Sequence, residues 1–126
     1  MSAVFKMSIE ESVRLDRDQI EVLYRQLGPV GADKVVNHAL EELAVMLSRI
    51  GKQYRESEFD ALFSGARALA AVAQQIGMIL LARVARDVEQ LARSGDDVAL
   101  GAVVARLERI GDQSLVAVWD TQDLSV

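Results

Sequence analysis

Few side chains in this sequence are able to perform chemistry, and their spacing removes most of what those few could do. His38 is the only histidine, and cysteine is absent. The chain therefore has no disulfide framework, no thiolate metal site and no thiol nucleophile. Metal-binding bundles place a glutamate three residues before each of two histidines, but Val35 holds that position ahead of His38. A lone helical histidine is expected at the surface or at an edge, with an axial haem ligand or a proton switch as the alternatives. A serine nucleophile needs an activating base within reach, and His38 is the sole imidazole. Neither a GxSxG elbow nor a glycine-rich phosphate loop occurs. The eight glycines are scattered and read mostly as punctuation.

The acidic pairs Glu10-Glu11, Glu41-Glu42 and Asp96-Asp97 are adjacent in sequence. Helical neighbours point about 100° apart, so these carboxylates do not converge on a substrate. Solvated charge is the expectation, with a helix cap as an added role for Asp96-Asp97. The arginines at 83, 86, 93, 106 and 109 are interleaved with Asp87, Glu89 and Glu108. Surface ion pairs along a helix are favoured there over a basic patch. No enzymatic activity, no cofactor and no metal is expected.

The elements that would position these residues are helical. The 126 residues suffice for one domain with a single core. Half of them are hydrophobic and 5% are aromatic, so the core must be built from Leu, Val, Ile, Ala and Met. One proline in an Ala-, Leu-, Arg- and Glu-rich chain favours helix. A net charge of -5 gives no general attraction to nucleic acid or to an anionic membrane, and neither is expected as a partner. The N-terminus lacks the pattern of a secretory signal. The longest apolar stretch, Ile76 to Ala82, is far too short to span a bilayer. A soluble cytoplasmic protein is expected.

Residues 1–14 form a leader, with a short helix conceivable around Ile9 to Val13. Asp16 and Gln19 resemble a capping box. A helix then runs to Leu27, with Leu15, Ile20, Leu23, Tyr24 and Leu27 apolar, and Gly28-Pro29 stops it. The next begins near Ala32 or Asp33 and carries the seam Val36, Leu40, Leu43, Leu47, Ile50 and Tyr54. Gly51 is a candidate to end or loosen it, Lys52 to Ser57 reads as a turn, and Ser57 suits the cap of the third helix.

That third helix carries Phe59, Leu62, Ala66, Leu69, Ala73 and Ile76. Arg67 lies well off this seam, on the side shared by Asp60, Phe63, Ala71 and Gln74. Gly77 interrupts the pattern, and Leu81, Val84, Val88 and Leu91 resume it. Ser94-Gly95-Asp96-Asp97 makes a turn with a new cap. Leu100, Val103, Val104, Leu107 and Ile110 define the last helix, with a change of phase near Gly111. The ending from Ser114 alternates like a strand but has no partner strand. An antiparallel up-down four-helix bundle over 15–120, with a tail at 121–126, buries every seam. A coiled-coil dimer of long hairpins is the structural alternative.

Six positions from Ala66 to Glu89 keep both type and spacing with a known pattern: Ala66, Leu69, Ala73, Gly77, Leu81 and Glu89. With Glu58 at a pre-helix acidic turn and Ala92 to Asp96 at the following turn, this stretch resembles the histidine-containing phosphotransfer (HPt) domains of bacterial phosphorelays. The likeness extends over about Leu15 to Ile110 and is most specific in the hairpin. It implies an HPt-like bundle in two-component signalling.

The departures fall at the family's chemical centre. Arg67 stands where the resemblance puts the phospho-acceptor histidine, Ala70 where it puts a lysine, and Ala71 where it puts a glycine. A guanidinium stays protonated and offers donors without a lone pair, so Arg67 cannot accept a phosphoryl group. What the resemblance leaves is a docking face of Phe63, Arg67, Ala70, Ala71 and Gln74 for a receiver domain. The acidic cluster of such a domain would receive charge-assisted hydrogen bonds from Arg67.

Three alternatives stay open. Arg67 is a solvated surface residue in one, and His38 is an unorthodox acceptor in another. In the third, the chain is a generic adaptor or oligomerisation bundle using Leu115, Val116, Val118 and Trp119. A homodimer is also left open.

Overall fold

The computed structural model describes residues 17–124, with side chains from 18 to 118. The leader 1–14, Leu15 and the Asp16 half of the capping box lie outside the described residues. Four helices account for nearly all of the rest: α1 (Arg17–Arg55), α2 (Phe59–Gln75), α3 (Ile79–Leu91) and α4 (Asp97–Leu124). They touch in a closed ring, α1 on α2 and α4, α2 on α3, and α3 on α4.

The three-four spacing of the apolar residues is what drives this arrangement. Leu40, Leu43 and Ile50 of α1, Leu62 and Leu69 of α2, Leu81, Val84 and Val88 of α3, and Leu100 and Leu107 of α4 are all fully buried. Each such side chain contributes about 1.5–3 kcal/mol by leaving water. From Ala32 onward the seams are buried within one chain, whereas Ile20, Leu23 and Tyr24 before it are only half-buried. Phe59 and Leu27 are exceptions to the expected seams, at 37% and 48% exposed.

Where the structure departs from expectation, glycine and proline account for most of it. Gly28 (φ 74°, ψ 169°) does break α1, but helix resumes at once on Pro29 rather than near Ala32 or Asp33. Proline's fixed φ and missing N–H suit the first position of a helix. Across the break the Tyr24 hydroxyl donates to the Asp33 carboxylate at 2.5 Å. That bond, with partial burial and the nearby negative charge, raises the tyrosine pKa above its ordinary 10.0.

Gly51 does not end α1, which runs on to Arg55. A Cβ there would lie 2.6 Å from Glu108 Oε1, so the glycine makes room for a side chain of α4. Gly111 brings no change of phase: α4 is helical through it to Leu124, including the segment that alternates like a strand and the start of the expected tail. Its missing Cβ accommodates Leu47 of α1. Beyond it Ser114 and Val118 are buried while Val116 is 56% exposed, a helical rather than alternating pattern.

Ser57 does not cap α2, whose N-cap is Glu58 with no side-chain bond. It terminates α1 instead, with φ 56°. The Glu58 N–H donates to Gln53 O (2.9 Å) and the Ser57 N–H to Tyr54 O (3.1 Å), a Schellman closure. Gly77 (φ 79°) closes α2 in the same way. There the Met78 N–H reaches Ala73 O at 2.8 Å, and both side chains are buried. At the third turn Asp96 caps α4 by accepting from the Ala99 N–H at 3.0 Å, as its sequence position implies.

Candidate functional site on the outer face of α2 and α3

Helix α2 turns Leu62, Ala66, Leu69, Ala70 and Ala73 to the core. Arg67 follows Ala66 by one residue, which swings it about 100° outward. It is exposed and makes no ion pair or side-chain hydrogen bond with other described residues. Ala71 and Gln74, four and seven residues on, are exposed along the same stripe.

Ala70 requires a correction. It is 3% exposed and belongs to the core cluster, so it cannot touch a partner at this face. The reason is its spacing, four residues after Ala66 and three before Ala73, which puts it on the buried side of α2. Phe63 is only partly buried and remains within reach of the face.

Helix α3 and the turn that follows it contribute residues that the sequence pattern did not assign to this face. Arg86 donates to the Gln74 side chain. The Arg93 guanidinium carbon sits 3.7 Å above the Phe63 ring, and its Nη2 is 3.5 Å from Asp60 Oδ1. Early positions of α2 thus meet the turn just beyond α3, and late positions meet the middle of that helix. Arg67 lies between these two attachments. The signal for it was the spacing of Arg86 on α3 and Arg93 in the turn after it, seven residues apart and so on one side where the helical course carries on. What the spacing omits is which neighbouring helix that side meets.

The expected pairing of these arginines with adjacent carboxylates is not what forms. Arg93, in the turn after α3, pairs with Asp60 of α2, and Arg83 and Arg86 make no ion pair among the described residues. Asp87 and Glu89 are half-buried, whereas Arg83, Arg86 and Arg93 are exposed.

The other chemical candidates lie elsewhere. His38 is a surface residue of α1, its Nε2 3.4 Å from Glu42 Oε1, its side chain 74% exposed. Among the described residues no group of three or more His, Asp or Glu side chains is placed to hold a metal ion. No helix among them is long and apolar enough to cross a membrane. Of the C-terminal adaptor surface, Val118 is buried and Leu115 packs against the core, leaving Val116 outward. The Trp119 side chain lies outside the described residues. Comparison of the chain with protein-family models, with curated proteins and with solved structures gave no match.

Proposed function

We propose that this chain is an HPt-like antiparallel up-down bundle of bacterial two-component signalling that binds receiver domains without relaying phosphate. It is a non-enzymatic, cytoplasmic partner in this reading, and the α2/α3 face is its docking surface. One observation carries the reading. The resemblance puts a phospho-acceptor at position 67, and the residue there is an exposed arginine with no partner among the described residues. A receiver domain gathers acidic side chains around its phosphorylation site. A guanidinium directed into that cluster forms charge-assisted hydrogen bonds, each stronger than a neutral one.

The surroundings of Arg67 support the same conclusion. Ala71 and Ala68 are small and exposed beside it, so a partner backbone can approach closely. Arg86 and Arg93 are each held by a contact to α2, which lowers the entropy lost when they bind. Docking is tested by measuring binding of purified receiver domains, one at a time, to the wild-type chain and to Arg67→Glu. Since a hydrogen bond to a charged group is worth about 1.5–3 kcal/mol, charge reversal should weaken binding at least tenfold. Equal retention by both proteins would reject the docking face.

A further inference from the structure

Arg67 does not stand alone. Gln74, which holds Arg86, lies seven residues beyond it on α2, and Phe63, which holds Arg93, lies four residues before it. With a rise of about 1.5 Å per residue, these attachment points are about 10 Å and 6 Å from Arg67 along the helix. Three guanidiniums therefore form a row on the outer surface, with exposed Arg83 one helical turn from Arg86. Among the described residues the only exposed carboxylate bonded into the row is Asp60, already engaged by Arg93. This cationic row stands out on a chain whose net charge is -5.

Guanidinium groups match tetrahedral phosphoryl oxygens at least as well as they match carboxylates, and the planar fork engages two oxygens at once. We propose that this arginine row reads the phosphorylation state of its partner, binding the aspartyl-phosphate form of a receiver domain in preference to the unphosphorylated form. The proposal rests on the docking reading above and adds its regulation. Phosphorylation supplies extra negative charge and three acceptor oxygens at the centre of the receiver's acidic cluster. Arg67 would take those oxygens directly, while Arg86 and Arg93 add field from either side. No bond forms or breaks, because a protonated guanidinium has no lone pair to attack phosphorus. The complex would store the phosphorylated receiver instead of discharging it.

The test is calorimetric titration of the full chain with purified receiver domains, each measured with magnesium alone and again after loading with beryllium trifluoride, a stable mimic of the aspartyl phosphate. Wild type should bind the loaded form about tenfold or more tightly than the unloaded form, the scale of one charge-assisted hydrogen bond. Arg67→Ala, checked for unchanged helicity, should bring that ratio to within about twofold, with Arg67→Lys intermediate because it cannot engage two oxygens. The Arg86→Ala/Arg93→Ala double variant should lower the ratio only in part. A receiver that binds both forms equally, or an Arg67→Ala chain that keeps the full ratio, would overturn the phosphorylation preference and leave docking intact. Failure of every receiver to bind in either form would overturn docking itself, and this inference with it.

Discussion

The contact between Gly111 and Leu47 offers a sensitive probe of how α4 seats on α1. Gly111→Ala should gain about 1 kcal/mol from helix propensity, since glycine is the poorer residue inside a helix. Against this, the new methyl would sit 2.6 and 2.8 Å from the two Leu47 methyls and 3.2 Å from its Cγ. Leu47 is 8% exposed and borders an open cleft, but it can yield only by giving up contacts with the core cluster it belongs to. Overpacking of this kind costs about 1–3 kcal/mol, so the net result should be a loss of about 1 kcal/mol. Leu47→Ala alone should cost about 2–5 kcal/mol by leaving a cavity. In the double variant the new methyl partly fills that cavity, so its loss should fall short of the sum of the two single losses by about 1–3 kcal/mol. Urea unfolding followed by helical circular dichroism measures all four corners of this cycle. Losses that add within about 0.5 kcal/mol would refute the contact and the uninterrupted course of α4 through Gly111.

The same unfolding assay checks the other glycines and turns. Gly51→Ala should be neutral or stabilising by up to about 1 kcal/mol, because the atoms it meets are the far ends of Glu108 and Arg55. Ser57→Gly should stabilise by about 0.5–1 kcal/mol by relieving a positive φ, whereas Gly77→Ala should destabilise by about 1–2 kcal/mol at a similar φ. Asp96→Ala should cost about 1 kcal/mol through loss of the α4 cap. Tyr24 should ionise above its ordinary value of 10.0, and Asp33→Asn should lower its pKa in an ultraviolet titration. Because the folded pKa is raised, the stabilising effect is complete below pH 10 and is lost as pH rises through the folded value. Tyr24→Phe should lack that alkaline loss.

The core of this fold was legible because burial leaves a periodic trace. Leu62, Ala66, Leu69, Ala73 and Ile76 follow three-four steps, and that repeat alone places Arg67 outward. Asp96 and Gly77 were equally readable, since a cap acceptor and a residue free to take positive φ have strong local signatures. Gly51 and Gly111 mislead for a physical reason: a glycine that stops a helix and one that admits a neighbour look the same in sequence. Their roles depend on Glu108 and Leu47, each more than fifty positions away. Ser57 carries no local sign that it will adopt a glycine-like conformation.

The candidate site divides along the same line. Arg67, Ala71 and Gln74 share an outward stripe that helical geometry dictates. The resemblance puts Ala70 on the face, at its lysine position, but the side it occupies is covered once the neighbouring helices are in place. Arg86 and Arg93 were invisible as partners of Gln74 and Phe63, because the register between α2 and α3 is set by packing across the hairpin and not by either helix alone.

The central claim is that receivers dock on the α2/α3 face around Arg67. It is tested most directly by amide chemical-shift mapping of the isotope-labelled chain during titration with a bound receiver domain. The account predicts that the largest changes cluster at Arg67, Ala71, Gln74, Arg86 and Arg93 and diminish in Arg67→Glu. Changes concentrated instead on α1 and α4, around Val45 or Val116, would contradict it.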